Sequence, residues 1–263
     1  MTGVAVITGA ASGIGAGLAR EAAQRGMRVV LADRDVDRLA AVAREIGEAA
    51  TAFPTDVIDP AALTALADRA FAEGPVELLF NNAGIMVTGN TWEIPLDAWR
   101  RAIDINLLGI VHGLAAFVPR MLAVGRPARI VNTASVGGFL PSPLMAPYSA
   151  TKFAVVGLTE SLAGELRDSP IAVSLLAPGP VRSDIFRDDG SSASAGFVRH
   201  MRSAVGEHGL SPDDFAVRVF AAIDRGDYWI VPQPEALDVL LAARNAIIAE
   251  RRPPTFFDIS EDS

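Results

Sequence analysis

Short apolar runs alternate with longer amphipathic stretches along this chain. Runs of strand length occur at VAVIT from Val4, RVVLAD from Arg28, ATAFP from Ala50, ELLFN from Glu77, RIVNTAS from Arg129, AVSLLAP from Ala172 and YWIVP from Tyr228. Most of the segments between them place apolar residues at helical spacing. Strands that alternate with helices predict a parallel sheet, because a parallel neighbour is reached only through a crossover long enough to hold a helix. The pattern therefore predicts an α/β fold, a doubly wound seven-stranded parallel sheet with helices on both faces. Right-handed crossovers leave the ligand crevice at the C-terminal strand ends. A length of 263 residues suits one such domain over 1–263, and no repeat or linker divides it.

Two segments stand apart from the alternation. Ser183 to Gly209 holds the polar, Gly/Ser-rich RDDGSSASAG and then FVRHMRSAVGEHG, which predicts a flap of about 183–209 with a short helix in it. Residues of about 235–250 read as a C-terminal helix, with Leu237, Leu240, Leu241, Ile247 and Ile248 as its apolar positions.

The first strand runs into GAASGIG and then a helical stretch from Leu18 to Arg25. Gly9, Gly13 and Gly15 remove Cβ atoms where a turn is tight, where a pyrophosphate approaches backbone amides, and where helix packs on strand. The helix N-terminus then faces an anion. The second strand ends in Asp33, placed to accept hydrogen bonds from adenosine ribose hydroxyls. Together these features predict a Rossmann-type dinucleotide site, where a Gly-rich turn alone would not. Tyr148 and Lys152 lie four residues apart in YSATK, on one helix face, with Ser135 upstream. An ammonium beside a phenol favours phenolate, which suits proton transfer in alcohol and carbonyl chemistry.

The glycine spacing is TGxxxGxG rather than the general GxGxxG. With NNAG at Asn81 to Gly84, INLLG carrying Asn106, TAS ending at Ser135, YSATK, and PGPV from Pro178 to Val181, the chain resembles the classical short-chain dehydrogenase/reductase family over roughly residues 3 to 232. The resemblance implies a catalytic tetrad of Asn106, Ser135, Tyr148 and Lys152. Tyr148 exchanges a proton with the reacting oxygen while hydride moves to or from nicotinamide. Ser135 donates to that oxygen, Lys152 holds the nicotinamide ribose and helps lower the phenol's pKa, and Asn106 orders a water near Lys152. It also implies a cofactor cradle of Gly9, Ser12, Gly13, Ile14 and Gly15, then Asp33 and Arg34, Asp56 and Val57, and Asn82, Ala83 and Gly84. Pro178, Gly179, Val181 and Ser183 complete it beside Tyr148 and Lys152, while Thr8 and Asn82 fix loops. The flap covers substrate, and Met86, Phe139, Leu144, Met145, Pro180 and Phe186 line the substrate pocket. These side chains are nearly all apolar, which implies a bulky secondary alcohol or its ketone.

The implied cofactor is NAD, with NADP possible: Asp33 opposes a 2′-phosphate, while Arg34 either stacks on adenine or pairs with that phosphate. Self-association as a homotetramer or homodimer is implied through the helices carrying Asn106 and Tyr148. Two other classes stay in view. Relatives that epimerise or dehydrate nucleotide-sugars usually need a longer C-terminal domain and different glycine spacing, and a non-catalytic dinucleotide sensor would have no need of the full tetrad.

Composition narrows the partners. A net charge of −8, with Lys and Arg scattered, argues against nucleic acid. There is no cysteine, and His112, His200 and His208 lack ligand spacing, so no metal site is expected. The apolar run from Ile105 to Pro119 is short of the ~20 residues that span a bilayer and reads as a buried helix. No membrane association and no secretory signal are read, so cytoplasm is the expected location.

Overall fold

The structure is a computed structural model that describes residues 3–183, 185, 195–254 and 256. Seven strands form one parallel sheet in the order β3-β2-β1-β4-β5-β6-β7: β1 (Val4–Thr8), β2 (Arg28–Asp33), β3 (Ala50–Pro54), β4 (Val76–Asn81), β5 (Ala128–Thr133), β6 (Ile171–Leu176) and β7 (Trp229–Ile230). The expected doubly wound α/β sheet is thus present. β7 is a two-residue edge strand, shorter than the YWIVP run that predicts it. The strand order reverses between β1 and β4, and that switch point opens a crevice beyond the strands' C-terminal ends.

Alternation along each strand decides which layer a side chain joins. Ile7, Leu31 and Phe80 pack under α1 (Gly13–Gln24) and α8 (Pro212–Arg225) with Phe215 and Phe220, while Val6, Val30 and Leu79 pack under α3 (Pro60–Glu73) and α5 (Gly109–Val124) with Phe117 and Met121. Full burial of each such side chain stabilises the fold by about 1.5–3 kcal/mol. Both faces of the sheet are covered, which is why its strands read as continuous apolar runs.

Caps set several helix starts. Asp35 accepts from Arg38 N ahead of α2 (Val36–Ile46), Asp59 accepts from Ala61 N ahead of α3, and Ser211 accepts from Asp214 N ahead of α8. Pro60 and Pro212 each open their helix, where a missing N–H costs nothing. Helix α1 begins at Gly13 rather than at Leu18, because its first turn is built from the glycine motif, which apolar periodicity does not register.

The Ile105 to Pro119 run departs from expectation. It belongs to a helical stretch of 29 residues, Leu96–Val124, formed by α4 (Leu96–Ile103), a π turn (Asp104–Leu108) and α5. By length and composition alone that stretch could cross a membrane. Here one face packs into the protein through Ile105, Ile110, Phe117 and Met121, while Leu108, Val111, Leu122 and Val124 stay exposed. The helix is buried on one face, not all round. The remaining helices are α6 (Ala146–Glu165), α7 (Ala195–His208) and α9 (Pro234–Ala249). Helix α7 gives the expected flap a helix of 14 residues, and α9 lies within a residue of its expected bounds. The rest of the Gly/Ser-rich part of the flap lies outside the described residues.

Candidate active site

The crevice at the switch point is a cavity of about 870 Å³, lined at one end by the glycine turn and at the other by Ser135, Tyr148 and Lys152. A smaller cavity of about 460 Å³ lies against α8 and β7 and contains none of the expected site residues.

The turn after β1 needs its glycines. Gly9 and Gly13 have φ of +70° and +51°, and a Cβ on Gly15 would fall 2.1 Å from the Gly9 carbonyl oxygen. Thr8 ties this turn to the segment after β4: its hydroxyl accepts from Asn82 N at 2.9 Å and Ala83 N at 3.1 Å, while Asn82 Nδ2 donates to Thr8 O at 3.0 Å. Asp33 is held on both carboxylate oxygens, by Ala11 N at 3.1 Å and Asp35 N at 3.0 Å. Its charge is therefore fixed at the end of β2. Ser12, Ile14, Arg34, Asp56, Val57, Ala83 and Gly84 also line the crevice, as their places in the motifs imply.

At the other end, the π turn carries Asn106. Such turns insert one extra residue into a helix and re-aim its side chains. Asn106 Oδ1 accepts from Ile85 N at 2.8 Å, and Nδ2 donates to Ile85 O at 2.9 Å and Thr151 Oγ1 at 3.1 Å. Its amide thus clamps the loop after β4 against α6. Ser135 ends the β5 strand run and its Oγ accepts from Gly137 N at 3.0 Å. A Cβ on Gly138 would stand 2.8 Å from the Lys152 carbonyl oxygen, so the two glycines after Ser135 let α6 lie close against this turn. That brings Tyr148 into hydrogen-bonding range of Ser135. Lys152 Nζ donates to Thr133 O at 2.8 Å and lies 5.7 Å from the Tyr148 ring centroid.

Tyr148 is 6% exposed and Lys152 3%. Burial raises the Tyr148 phenol above its ordinary value, against a smaller lowering by the Ser135 hydrogen bond. Burial also lowers the Lys152 ammonium to about 8. Burial of both groups thus works against the phenolate that the Tyr-Lys spacing is expected to favour.

The substrate end needs correction. Met86, Met145 and Pro180 line the crevice. Phe139 does not: its ring packs edge-on against Trp229 at 5.8 Å, towards the sheet edge. Leu144 sits behind the wall, packed with Met145 and Tyr148 in a backbone conformation with φ +62°. Phe186 lies outside the described residues. Unanticipated lining comes from Val136, Leu140 and Ile185, and from Met201 and Val205 of α7. The α7 pair was open to detection, since Phe197, Met201 and Val205 repeat at helical spacing. His200 and His208 are exposed and line nothing in the crevice.

Pro178, Gly179, Val181 and Ser183 form the wall opposite, with Ser183 against Gly13. This wall has a support the motifs did not reveal: Gln233, just ahead of α9, accepts from Gly179 N at 3.1 Å and donates through Nε2 to Pro180 O at 2.7 Å. Arg182 is turned away to Gly209 O, at 3.0 Å.

Comparison with known proteins agrees with this geometry. The model of the short chain dehydrogenase family matches residues 3–194. The chain belongs to that family. Among the relatives of this short-chain dehydrogenase is a 1-deoxy-11-beta-hydroxypentalenate dehydrogenase of Streptomyces avermitilis, 38% identical over 88% of this chain and 85% of that protein. A short-chain dehydrogenase/reductase from Burkholderia phymatum, solved in complex with NAD, superposes with a TM-score of 0.92 at 36% identity, covering 97% of both chains. A short-chain dehydrogenase from Sphingobium yanoikuyae in complex with NADPH superposes with a TM-score of 0.77 at 30% identity, over 98% of this chain and all of that one. The chain is thus an oxidoreductase of the short-chain dehydrogenase class.

Proposed function

We propose that this short-chain dehydrogenase interconverts an apolar secondary alcohol and its ketone, using NAD in preference to NADP, with Tyr148 as the acid–base group. The observation that carries this reading is the meeting of Tyr148, Ser135 and Lys152 at one end of a crevice whose other end is a glycine cradle and a fixed carboxylate. That crevice fits a nicotinamide dinucleotide: Cβ atoms would fill the turn at Gly9, Gly13 and Gly15, and the N-terminal amides of α1 suit a pyrophosphate. The bound nicotinamide supplies or takes the hydride.

The chain's own groups do the rest. In the reducing direction the Tyr148 hydroxyl gives its proton to the carbonyl oxygen, and the Ser135 hydroxyl donates to the same oxygen to hold it in line. In the oxidising direction the phenolate takes the alcohol's proton. Lys152 spends one N–H on Thr133 O and keeps two donors for the ribose hydroxyls. Asn106 keeps the Ile85 loop seated under the reacting groups. Buried in its protonated form, Tyr148 is set up for reduction at neutral pH, and oxidation would draw on a positive charge held beside the phenol.

Asp33 supports NAD: a carboxylate near 4 Å from a phosphate is opposed by about 4 kcal/mol at an effective dielectric of 20. Arg34, exposed at the same edge, fits stacking on adenine. The apolar Met86, Met145, Ile185, Met201 and Val205 suit a bulky apolar substrate. The exposed Leu108, Val111, Leu122 and Val124 suit burial against a second copy. A screen of bulky secondary alcohols and ketones with both cofactors, read by nicotinamide fluorescence, tests the reading. NAD-dependent turnover of apolar members is expected; turnover confined to charged substrates, or NADP equal to NAD, would overturn it.

A further inference from the structure

We propose that His112 is a positioning residue for the adenosine half of the crevice, acting through the Val57 carbonyl. This rests on the proposed use of a nicotinamide dinucleotide. The loop between β3 and α3 puts Thr55, Asp56 and Val57 on the crevice wall near Asp33. Its first residue is tied to β2 by Thr55 N donating to Asp33 O at 2.9 Å, and its turn is closed by the Asp56 carboxylate accepting from Ile58 N at 3.2 Å. Between these ties, the Val57 carbonyl meets His112 Nδ1 at 2.9 Å. A carbonyl only accepts, so the imidazole carries a proton on Nδ1 and donates.

A second observation places the same loop on the same helix. Gly109, one turn before His112 on α5, has no side chain where a Cβ would stand 2.9 Å from Val57 Cγ2 and 3.0 Å from Val57 Cβ. Val57 therefore seats directly on α5, buried, with its carbonyl steered by the ring that follows. Helix α5 continues the π turn that carries Asn106, so one helical stretch holds both ends of the crevice, through Val57 at one end and Ile85 at the other. His112 does not line the crevice itself. Its loss would release the adenosine wall and leave Ser135, Tyr148 and Lys152 as they are.

Equilibrium binding of NADH and of reduced nicotinamide mononucleotide, which lacks adenosine, to wild type, His112→Phe and His112→Asn tests this. Phenylalanine keeps the ring and removes the donor; asparagine puts an amide N–H near the Nδ1 position. His112→Phe is expected to weaken NADH about 5- to 10-fold, within the range of one net hydrogen bond, and to leave the mononucleotide within about twofold. His112→Asn should recover most of the NADH affinity. Unchanged NADH affinity in His112→Phe, equal weakening of both ligands, or no recovery in His112→Asn would each overturn the proposal. A wild type that binds neither ligand would instead remove the cofactor reading, and this inference with it.

Discussion

Replacing Lys152 with methionine should make the protein more stable at neutral pH while abolishing its activity. The ammonium is buried, and burial lowers its pKa from 10.5 to about 8. At ~1.36 kcal/mol per tenfold, holding it charged below pH 8 costs the folded state about 3 kcal/mol. The substitution removes that cost but leaves the buried Thr133 O without its donor, an offset of about 1–3 kcal/mol. A net gain of up to about 2 kcal/mol remains at pH 7. The folded-state pKa lies below the unfolded one, so the unfolded chain binds more protons between about pH 8 and 10.5. Wild type therefore gains stability across that window relative to the variant, and above it the variant's advantage is gone. Urea unfolding of both proteins at equal concentration, at several pH values from 7 to 10.5, measures the difference. A variant less stable than wild type at pH 7, or a difference that does not change with pH, would refute the reasoning.

Other consequences follow from the same geometry. Because burial keeps Tyr148 protonated, alcohol oxidation should rise between about pH 7 and 9 while ketone reduction falls or holds; oxidation that declines over this range contradicts the assignment. Gln233→Ala removes both hydrogen bonds to the Gly179–Pro180 backbone, and should weaken NADH several-fold, with unchanged NADH affinity showing that the wall stands without it. Asp33→Ala should lower kcat/KM for NAD about tenfold or more and raise that for NADP; a wild type already indifferent to the 2′-phosphate would refute the role of the fixed carboxylate.

Much of this was legible in the sequence, for physical reasons. A parallel sheet covered on both faces forces apolar runs, so the strands announced themselves, and glycines at Gly9, Gly13 and Gly15 marked a turn that no side chain could share. Ser135, Tyr148 and Lys152 were legible because a helix brings i and i+4 together, and a strand end faces the crevice. What escaped depends on contacts distant in sequence or on backbone shape. Phe139 turns to Trp229, ninety residues on, because the edge strand leaves that ring uncovered. Leu144 adopts a positive φ that a leucine gives no sign of, which puts it behind Met145 instead of in the crevice. The π turn at Asn106 and the clamp from Gln233 leave no periodic signal either. Burial, not the Tyr-Lys spacing, sets the direction of the Tyr148 pKa, and burial of that degree appears only once α6 docks against Gly138.

The most direct test of the proposed chemistry is a single-turnover measurement of hydride transfer from NADH in Tyr148→Phe, alongside its NADH affinity. Removing one hydroxyl while keeping the ring should slow hydride transfer by about 100-fold or more and leave NADH affinity within about twofold. A variant that transfers hydride at more than about a tenth of the wild-type rate would show that the Tyr148 proton is not the one the reaction uses.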